Sequence, residues 1–376
     1  MSDAHLMQLA ARLADAVGSD QRDGRGDIVS LDADRYLDPM RWSRERDSVF
    51  RRFPLISARS DELDAQQRWL GRDLAGTSVL LHRDEHGATR AYLNSCRHRG
   101  MQLLADGEHG CRASIACPYH GWTYASDGSL RGLPHADAFP GLEREAHALV
   151  EIPCAEAHGF VWVVPTPSSP MQAPAEWLDS IDDDLRHFDL AGHVTFAEGR
   201  SVVDGNWKLC IDAFLEAYHV RVLHRNTVGP FFHDALACFD AVGPHTRSAV
   251  ARRESGPDDT LRDRVSFTHF VFPNQVFVFH PDYVSQMSIL PRNESSFDWH
   301  HRMLIPAEHD TPEQRAHWQK SYELIENGVF QAEDLRAVER LHAGLLTGAT
   351  PRITLGQLEE LIPMFHARVD AAIAAD

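Results

Sequence analysis

The sequence predicts an α+β fold of two domains. Segments with the pattern of short strands come first. Segments with helical periodicity follow, without the regular alternation of βαβ units, and this order is typical of the α+β class. The chain has 376 residues, about right for two domains. Hydrophobic residues make up 43% and charged residues 24% of the chain, as in ordinary globular proteins, which excludes a largely disordered or fibrous chain.

Three segments are predicted in chain order: an N-terminal helical segment at 1–45, a β-rich domain at 46–165 and a second domain at 166–376. Leucines at helical spacing predict the N-terminal helix, which we expect to pack on the second domain: Leu6, Leu9 and Leu13. A run of prolines after residue 164 marks the boundary between the domains.

Each domain has its own local pattern. In the β-rich domain, short apolar runs at 79–82 and 91–93 flank a polar turn that contains glycine, which predicts a hairpin. In the second domain, helices are predicted at 206–224 and 312–345. Strands are predicted over 264–290, with a turn at the Pro-Asn dipeptide in the middle.

Charge and cysteine content exclude several classes of protein. Asp and Glu number 55 against 37 Lys and Arg, so the formal net charge is −18. This charge repels nucleic acids and anionic membranes, and neither is expected as a partner. No apolar run approaches the ~18 residues of a membrane span. The six cysteines are too sparse for a disulfide scaffold, and charged residues interrupt the N-terminal apolar stretch, so the sequence predicts a cytoplasmic protein without a secretory leader.

Two Cys/His pairs in the β-rich domain form the first candidate site. Cys96 and His98 are followed, after 18 intervening residues, by Cys117 and His120. Two such pairs on tight loops can bind zinc as a Cys2His2 site. They can also hold a [2Fe–2S] cluster, with two thiolates on one iron and two imidazoles on the other. The spacing alone leaves both alternatives open.

The second candidate site is formed by His219, His224 and Asp334. Two histidines five residues apart diverge by about 140° on a regular helix, so a bulge or helix end must lie between them if both face one metal ion. Asp334 lies in a predicted apolar stripe of the late helix: Phe330, Asp334, Val338, Leu341 and Leu345. A buried carboxylate needs a partner, which is either a cation in a salt bridge or a metal. Two histidines and one carboxylate are the ligand set of non-haem iron oxygenases.

These residues lie in longer motifs that resemble the α-subunits of Rieske non-haem iron oxygenases, an aromatic-ring-hydroxylating and quaternary-ammonium monooxygenase-like family. The sequences CRHRG at 96–100 and CPYHGW at 117–122 resemble the two cluster-binding loops of that family. The sequence NWK at 206–208, the run from Glu216 to His224 and the pair Glu333-Asp334 resemble its catalytic domain. The resemblance spans roughly residues 40–345.

The resemblance implies a β-rich Rieske domain followed by a helix-grip, START-like catalytic domain with an antiparallel sheet and helices. It implies that Cys96, His98, Cys117 and His120 hold a [2Fe–2S] cluster. It also implies that His219, His224 and Asp334 bind a mononuclear iron. Glu216 would bridge His219 to His120 of a neighbouring subunit, in a homotrimer.

The implied function is that of a terminal oxygenase component, which uses O2 and two externally supplied electrons to hydroxylate or oxidatively dealkylate a small molecule. A reductase or ferredoxin would supply the electrons, with NAD(P)H used indirectly. The alternatives are cis-dihydroxylation of an aromatic ring and a non-catalytic Rieske electron carrier. Relatives often have Asn before the residue equivalent to Phe214, whereas this chain has Ala213, which weakens the analogy to the cis-dihydroxylating members.

Two surfaces are predicted beyond the metal sites. A substrate pocket should be lined by the strands at 264–290 and by the helix with Phe214 and Tyr218. Five phenylalanines in those strands suit either an aromatic cage for a quaternary ammonium group or the core: Phe267, Phe270, Phe272, Phe277 and Phe279. Arginines near the Cys/His loops suit either a solvated face or a docking patch for an acidic electron donor: Arg97, Arg99, Arg112 and Arg131.

Overall fold

The computed structural model describes residues 4–22, 27–63, 68–167, 174–253 and 260–375. The chain forms two compact units. The main unit combines Met1–Ser48 with Asp179–Asp376, and the inserted unit is Val49–Leu178. The sequence placed the corresponding boundaries after residues 45 and 165. Among the described helices, none is long and apolar enough to cross a membrane.

The strands of the described residues, in chain order, are β1 (Val29–Asp32), β2 (Leu55–Arg59), β3 (Arg68–Leu74), β4 (Thr77–Arg83), β5 (Thr89–Leu93), β6 (His109–Cys111), β7 (Ser114–Ala116), β8 (Thr123–Ala125), β9 (Leu130–Gly132), β10 (Glu151–Ile152), β11 (Cys154–Ala157), β12 (Phe160–Val163), β13 (His193–Asp204), β14 (Phe232–Val242), β15 (His245–Arg252), β16 (Val265–Val271), β17 (Gln275–Phe279), β18 (Val284–Asn293), β19 (Ser296–Pro306) and β20 (Arg352–Leu355).

The α-helices of the described residues are α1 (Ala4–Ser19), α2 (Asp34–Leu37), α3 (Pro39–Glu45), α4 (Pro174–Leu178), α5 (Asp182–His187), α6 (Trp207–Phe214), α7 (Val220–Leu223), α8 (Leu261–Arg264), α9 (Arg315–Tyr322), α10 (Leu335–Leu346) and α11 (Leu361–Ala374). Two segments have π-helical hydrogen bonding, Arg46–Phe50 and Glu323–Asp334.

The main unit is built on a seven-stranded antiparallel sheet with the strand order β13-β19-β18-β17-β16-β15-β14. Strands β16, β17 and β18 confirm the strands predicted over 264–290, and the chain reverses at Pro273-Asn274 as expected. Among the helices that contact this sheet, α6 contacts β18, α7 contacts β14 and α10 contacts β13. In the second candidate site, His219 and His224 flank α7, and Asp334 ends the π-helical segment that precedes α10.

The helix predicted over 206–224 is interrupted. Helix α6 begins after Asn206, whose side chain accepts a hydrogen bond from the Lys208 N–H, and ends at Phe214. Residues 215–219 are not helical, and α7 then makes a single turn. His219 and His224 flank this turn at its two ends. The short helix therefore lets the two histidines approach each other, which a continuous helix would not allow.

The late helix changes from α-helical to π-helical hydrogen bonding over the segment that ends at Asp334. The predicted helix over 312–345 consists of α9, the π-helical segment and α10. Asp334 and Val338 are buried as predicted, but the predicted burial of Leu341 is wrong: it is 54% exposed. His342 is buried instead. Leu341 and His342 lie on opposite sides of Val338 around the helix axis, and only the side with His342 faces the protein.

The N-terminal segment is part of the main unit. Helix α1 packs on β14 and β15 and buries Leu6, Leu9 and Leu13, as predicted. Strand β1 pairs with β20 near the C-terminus. Arg35 and Arg41 of the segment both form ion pairs of 2.7 Å with Asp370 in α11. These contacts join the two ends of the chain.

A buried ion pair joins α3 to α6. The Lys208 Nζ donates to the Glu45 carboxylate at 2.7 Å, and the Trp207 Nε1–H donates to the same oxygen at 3.0 Å. Both members of the pair are at most 1% exposed. Burial lowers the pKa of Lys208 to about 8, although the charge of Glu45 opposes the shift.

Glu45→Ala is expected to destabilise the main unit by about 3–5 kcal/mol, because it leaves the Lys208 cation buried without its partner. Urea unfolding followed by circular dichroism measures this loss. Glu85→Ala is the control, since Glu85 lies in an exposed turn of the inserted unit and its side chain is 67% exposed. Equal stability of the two variants would contradict a structural role for the buried pair.

The inserted unit contains, within its described residues, three antiparallel sheets with the orders β10-β5-β4-β3-β6, β11-β12-β2 and β7-β8-β9. The pairing of β4 with β5 confirms the hairpin predicted from 79–82 and 91–93. Large aromatic side chains form its core with Cys96 and Cys117: Trp69, Tyr92, Trp122 and Tyr124. The loops that carry the Cys/His pairs therefore start from the hydrophobic core.

Candidate metal centres

The two loops with the Cys/His pairs have the same backbone hydrogen bonds. In each loop the cysteine N–H donates to the carbonyl five residues later, at 2.8 Å for Cys96 and 2.7 Å for Cys117. The glycine four residues after the cysteine, Gly100 or Gly121, donates its N–H back to the cysteine carbonyl. Both glycines have φ near +75°, a conformation that other residues rarely adopt. The loops are therefore structurally equivalent although their histidines are spaced differently.

The structure brings the four predicted cluster ligands together as two inner thiols and two outer imidazoles. Cys96 and Cys117 are 2% and 4% exposed. The Nδ1 atoms of His98 and His120 lie 3.2 Å apart, and His120 is exposed. This distance suits two ligands of one metal ion. Two buried sulfurs and two converging nitrogens fit a [2Fe–2S] cluster, and their geometry alone also suits zinc.

Tyr124 is a further neighbour of this site. Its hydroxyl accepts a hydrogen bond from the Arg97 N–H at 2.9 Å and lies 3.3 Å from the Cys96 sulfur, to which it can donate. Burial raises the pKa of the Cys96 thiol, and the Tyr124 hydroxyl opposes that shift. Hydrogen bonds to ligand sulfurs help to set the potential of an iron–sulfur cluster. Tyr124 therefore contacts the site directly.

In the main unit, His219, His224 and Asp334 form a compact group of metal-binding side chains. Their ligand atoms all lie within 4.8 Å of one another. The Asp334 Oδ1 is 3.2 Å from the His224 Nε2 and 3.8 Å from the His219 Nε2. This oxygen is buried and has no hydrogen-bond donor among the described residues. A buried carboxylate oxygen without a donor, facing two imidazole nitrogens, fits a metal ion.

Glutamates hold both histidines from the opposite side of the ring. The Glu216 carboxylate accepts a hydrogen bond from the His219 Nδ1–H, and Glu333 accepts one from the His224 Nδ1–H at 2.7 Å. Thr227 donates to the same Glu333 oxygen at 2.6 Å. A proton held at Nδ1 leaves each Nε2 free to bind a metal. Sequence reasoning gave Glu333 no role, and only its position in the Glu-Asp motif pointed to it.

The carboxylates also set the charge of the histidines. Burial lowers the pKa of His219, but the hydrogen bond and charge of Glu216 outweigh burial, so the pKa is raised overall. Burial likewise lowers the pKa of His224, and Asp334 and Glu333 raise it overall. The group thus favours positive charge at its centre, as a site for a cation requires.

A cavity of about 290 Å³, called the first cavity below, borders the three metal-binding side chains. It is lined by residues from α6, α7, the π-helical segment and one face of the sheet. Phe214 contributes to its wall as predicted, whereas Tyr218 does not and is 61% exposed. A volume near the lower end for ligand pockets suits a small substrate.

The phenylalanines of β16 and β17 do not form an aromatic cage. Phe267, Phe270, Phe272, Phe277 and Phe279 are at most 1% exposed, and none lines the first cavity. Phe279 stacks on Phe188 with ring centres 3.7 Å apart. Successive side chains of a strand point to opposite faces, so Phe267, Phe277 and Phe279 lie on the face opposite to the cavity-lining Ser266, Thr268 and Val278. Phe270 and Phe272 pack against Phe365 instead. The cage alternative is wrong, and the core alternative is confirmed.

A second cavity, of about 810 Å³, lies beside the same metal-binding group. Its wall includes Glu216, His219 and Asp334, together with Asp212 and Glu359. Glu216 therefore borders both the first and the second cavity.

The sequence matches two known domain families in the same order. Residues 54–153 match the Rieske [2Fe–2S] domain. Residues 189–375 match the ring hydroxylating alpha subunit (catalytic domain). The two matches together cover most of the chain.

The chain belongs to the Rieske non-haem iron oxygenase α-subunits.

Membership of this family decides between the two metals left open at the Cys/His loops. A Rieske oxygenase α-subunit carries a [2Fe–2S] cluster and a mononuclear non-haem iron, and it uses O2. The catalytic domain is not expected of a non-catalytic Rieske electron carrier, so that alternative is wrong.

Several known proteins are similar to this Rieske oxygenase α-subunit. It is 29% identical over 262 residues to the glycine betaine monooxygenase oxygenase subunit of Chromohalobacter salexigens; the match spans 67% of this chain but only 58% of that relative. It is 25% identical over 324 residues to the carnitine monooxygenase oxygenase subunit of Acinetobacter pittii, which covers 82% of this chain and 83% of the relative.

A solved structure of a quaternary ammonium Rieske monooxygenase, described as giving insights into carnitine oxidation and inter-subunit electron transfer, has the same fold. Its TM-score against this Rieske oxygenase α-subunit is 0.79 at 21% identity, and the match covers 92% of this chain and 96% of that chain. At this identity the likeness establishes the fold alone.

Proposed function

We propose that this chain is the terminal oxygenase subunit of a multicomponent oxygenase. In this proposal Cys96, His98, Cys117 and His120 hold the [2Fe–2S] cluster, while His219, His224 and Asp334 hold the mononuclear iron. The observation that carries the proposal is the convergence of the two Nε2 atoms and the Asp334 Oδ1 at the wall of the first cavity. When bound there with three protein ligands, the iron keeps coordination positions for O2.

The proposed reaction is monooxygenation, either hydroxylation or oxidative dealkylation, of a small organic substrate. The matched relatives are monooxygenases of quaternary ammonium compounds, which supports this choice. Apolar residues of the first cavity would exclude water from the reacting centre: Val228, Val250, Ile325 and Val329. Aromatic cis-dihydroxylation is the second candidate; Ala213, which lines the same cavity, argues against it.

A reductase or ferredoxin would supply the electrons, ultimately from NAD(P)H. His120 is exposed, as an electron-transfer ligand must be. Four arginines of the inserted unit are exposed on a chain with a net charge of −18, and they favour the docking patch over a merely solvated face: Arg97, Arg99, Arg112 and Arg131.

A homotrimer is proposed as the assembly, with electrons passing from His120 of one subunit through Glu216 to His219 of the next. A head-to-tail interface that closes gives such a ring. The hydrogen bond between Glu216 and the His219 Nδ1–H supports the last part of this route. We also propose a cytoplasmic location, because none of the six cysteines forms a disulfide in the described structure, as a reducing compartment favours.

Isotopically labelled O2 tests the proposed reaction. Protein loaded with both metal centres and reduced with dithionite is mixed with labelled O2 and with glycine betaine, carnitine or naphthalene. We expect one labelled oxygen atom per oxidised molecule of a quaternary ammonium compound. It should lie in the hydroxylated product or, after dealkylation, in the released aldehyde, which is trapped before its oxygen exchanges with water. A cis-diol of naphthalene with two labelled atoms would favour the second candidate. Labelled product from none of the compounds, at full metal content, would contradict the proposed reaction.

A further inference from the structure

Apart from histidines, the first cavity contains one basic side chain, Arg252, among its described lining residues. Three carboxylates also line it, and each has another partner. Glu216 is bonded to His219, Asp334 faces the two histidines, and Asp282 pairs with His317 at 2.6 Å. The cavity thus has one cationic group available to a ligand.

Arg252 is directed to the cavity by the strand that carries it. It is the last residue of β15, and alternate residues of that strand, Ser248 and Val250, line the same wall. Its guanidinium lies over the Phe232 ring, 5.5 Å from the ring centre. Its Nη1 donates to the Ser266 hydroxyl at 3.4 Å, a long hydrogen bond. These contacts place the guanidinium without neutralising it.

Arg252 has no carboxylate partner within ion-pair distance in the part of the chain that the structure describes, which omits residues 254–259. Hydrogen bonds from Thr260 and, to a smaller extent, the charge of Arg252 lower the pKa of Asp263. The Asp263 carboxylate is already bonded, because it accepts a hydrogen bond from the Thr260 hydroxyl at 2.6 Å. His280, on the same wall, is neutral: burial and the nearby Arg252 lower the pKa of His280 to about 3. This wall of the cavity is therefore electropositive.

A guanidinium in a partly apolar cavity loses hydration, and a carboxylate restores its interactions through two parallel hydrogen bonds. A ligand with only a cationic group would be repelled at the same place. We propose that Arg252 binds a carboxylate of the substrate, so that the substrate is a small carboxylate whose other end faces His219, His224 and Asp334. This inference rests on the proposed oxygenase function and specifies the class of its substrate.

Isothermal titration calorimetry of the full-length, iron-loaded protein tests this inference without turnover. The probes are glycine betaine, linear carboxylates from acetate to octanoate, and the alcohols that correspond to each of them. We expect one or more carboxylates to bind more tightly than the matching alcohol. Arg252→Gln should weaken that binding on the order of 10- to 100-fold, as for a lost hydrogen bond to a charged group. Arg252→Lys keeps the positive charge without the planar guanidinium. Its affinity for the carboxylate should therefore lie between those of the unmodified chain and Arg252→Gln.

Arg253→Gln is the matched control, because Arg253 is exposed, does not line the cavity and its side chain donates to a backbone carbonyl, that of Phe232, at 2.6 Å. Its affinities should equal those of the unmodified chain. Iron content and melting temperature verify that each variant is folded. If no carboxylate outbinds its alcohol, or if Arg252→Gln binds carboxylates unchanged, the inference is wrong. Carboxylate binding without incorporation of labelled oxygen would instead count against the oxygenase reaction and leave the role of Arg252 intact.

Discussion

Asp334→Ala is expected to remove the mononuclear iron and reduce substrate oxidation by more than about 100-fold, while the spectrum of the [2Fe–2S] cluster is unchanged. Among the described residues, the variant lacks the one carboxylate that faces the Nε2 atoms of both His219 and His224, at 3.8 and 3.2 Å. Iron content should fall from about three to about two atoms per chain. Metal analysis and electron paramagnetic resonance of the reduced protein measure both centres.

Glu339→Ala is the control for this substitution. Glu339 lies on α10 close to Asp334 in sequence, but its carboxylate pairs with Arg336 at 3.0 Å and does not line either cavity. It should keep both centres and full activity. Loss of the cluster together with the iron in Asp334→Ala would contradict the assignment of two independent sites in separate units.

Glu216→Gln should retain both metal centres yet transfer electrons between them at least about 100-fold more slowly. Glutamine is nearly the same size, so the fold and the iron site are expected to persist. Glutamine lacks the negative charge of the carboxylate that accepts the hydrogen bond from the His219 Nδ1–H. The proposed bridge to His120 of the neighbouring subunit requires that charge. Rapid-mixing measurements of cluster reoxidation by O2 with substrate present give the rate.

Glu359→Gln is the control, because Glu359 borders the second cavity without contacting either histidine. Mixed oligomers then test whether the route crosses between subunits. Chains without the cluster (Cys96→Ser) and chains without the iron (His219→Ala) should recover part of the activity when assembled together. A monomer in light scattering, or no recovery in verified mixed oligomers, would exclude the proposed route.

The sequence predicted the two metal-binding groups because their chemistry is local or has few alternatives. Cysteine and histidine pairs on tight loops have few other uses, and a carboxylate in an apolar stripe needs a cation. The same reasoning required an irregular helix at His219 and His224, and the structure has a single helical turn there. In the second domain the pattern predicted strands only over 264–290, which contain β16, β17 and most of β18; the other four strands of the sheet were not located.

Other parts of the site depend on contacts that no short pattern encodes. Tyr124 reaches Cys96 from 28 positions along the chain, and Glu333 reaches His224 from 109. The π-helical segment before Asp334 has the composition of an ordinary helix, so its wider turn and the exposure of Leu341 were not predicted. Arg252 lines the first cavity only because β15 ends there with that face inward.

The interruption of the main unit by Val49–Leu178 orders the maturation of the protein during synthesis. A domain folds when all of its chain has left the ribosome. The inserted unit emerges complete while the main unit still lacks Asp334, β20 and α11. The four predicted cluster ligands can therefore lie in a folded unit before the predicted ligands of the mononuclear iron have been synthesised. The residues that α3 contacts, including Lys208 and Asp370, are synthesised after the inserted unit. Residues 4–48 can therefore pack in the main unit only after the rest of the chain has been synthesised.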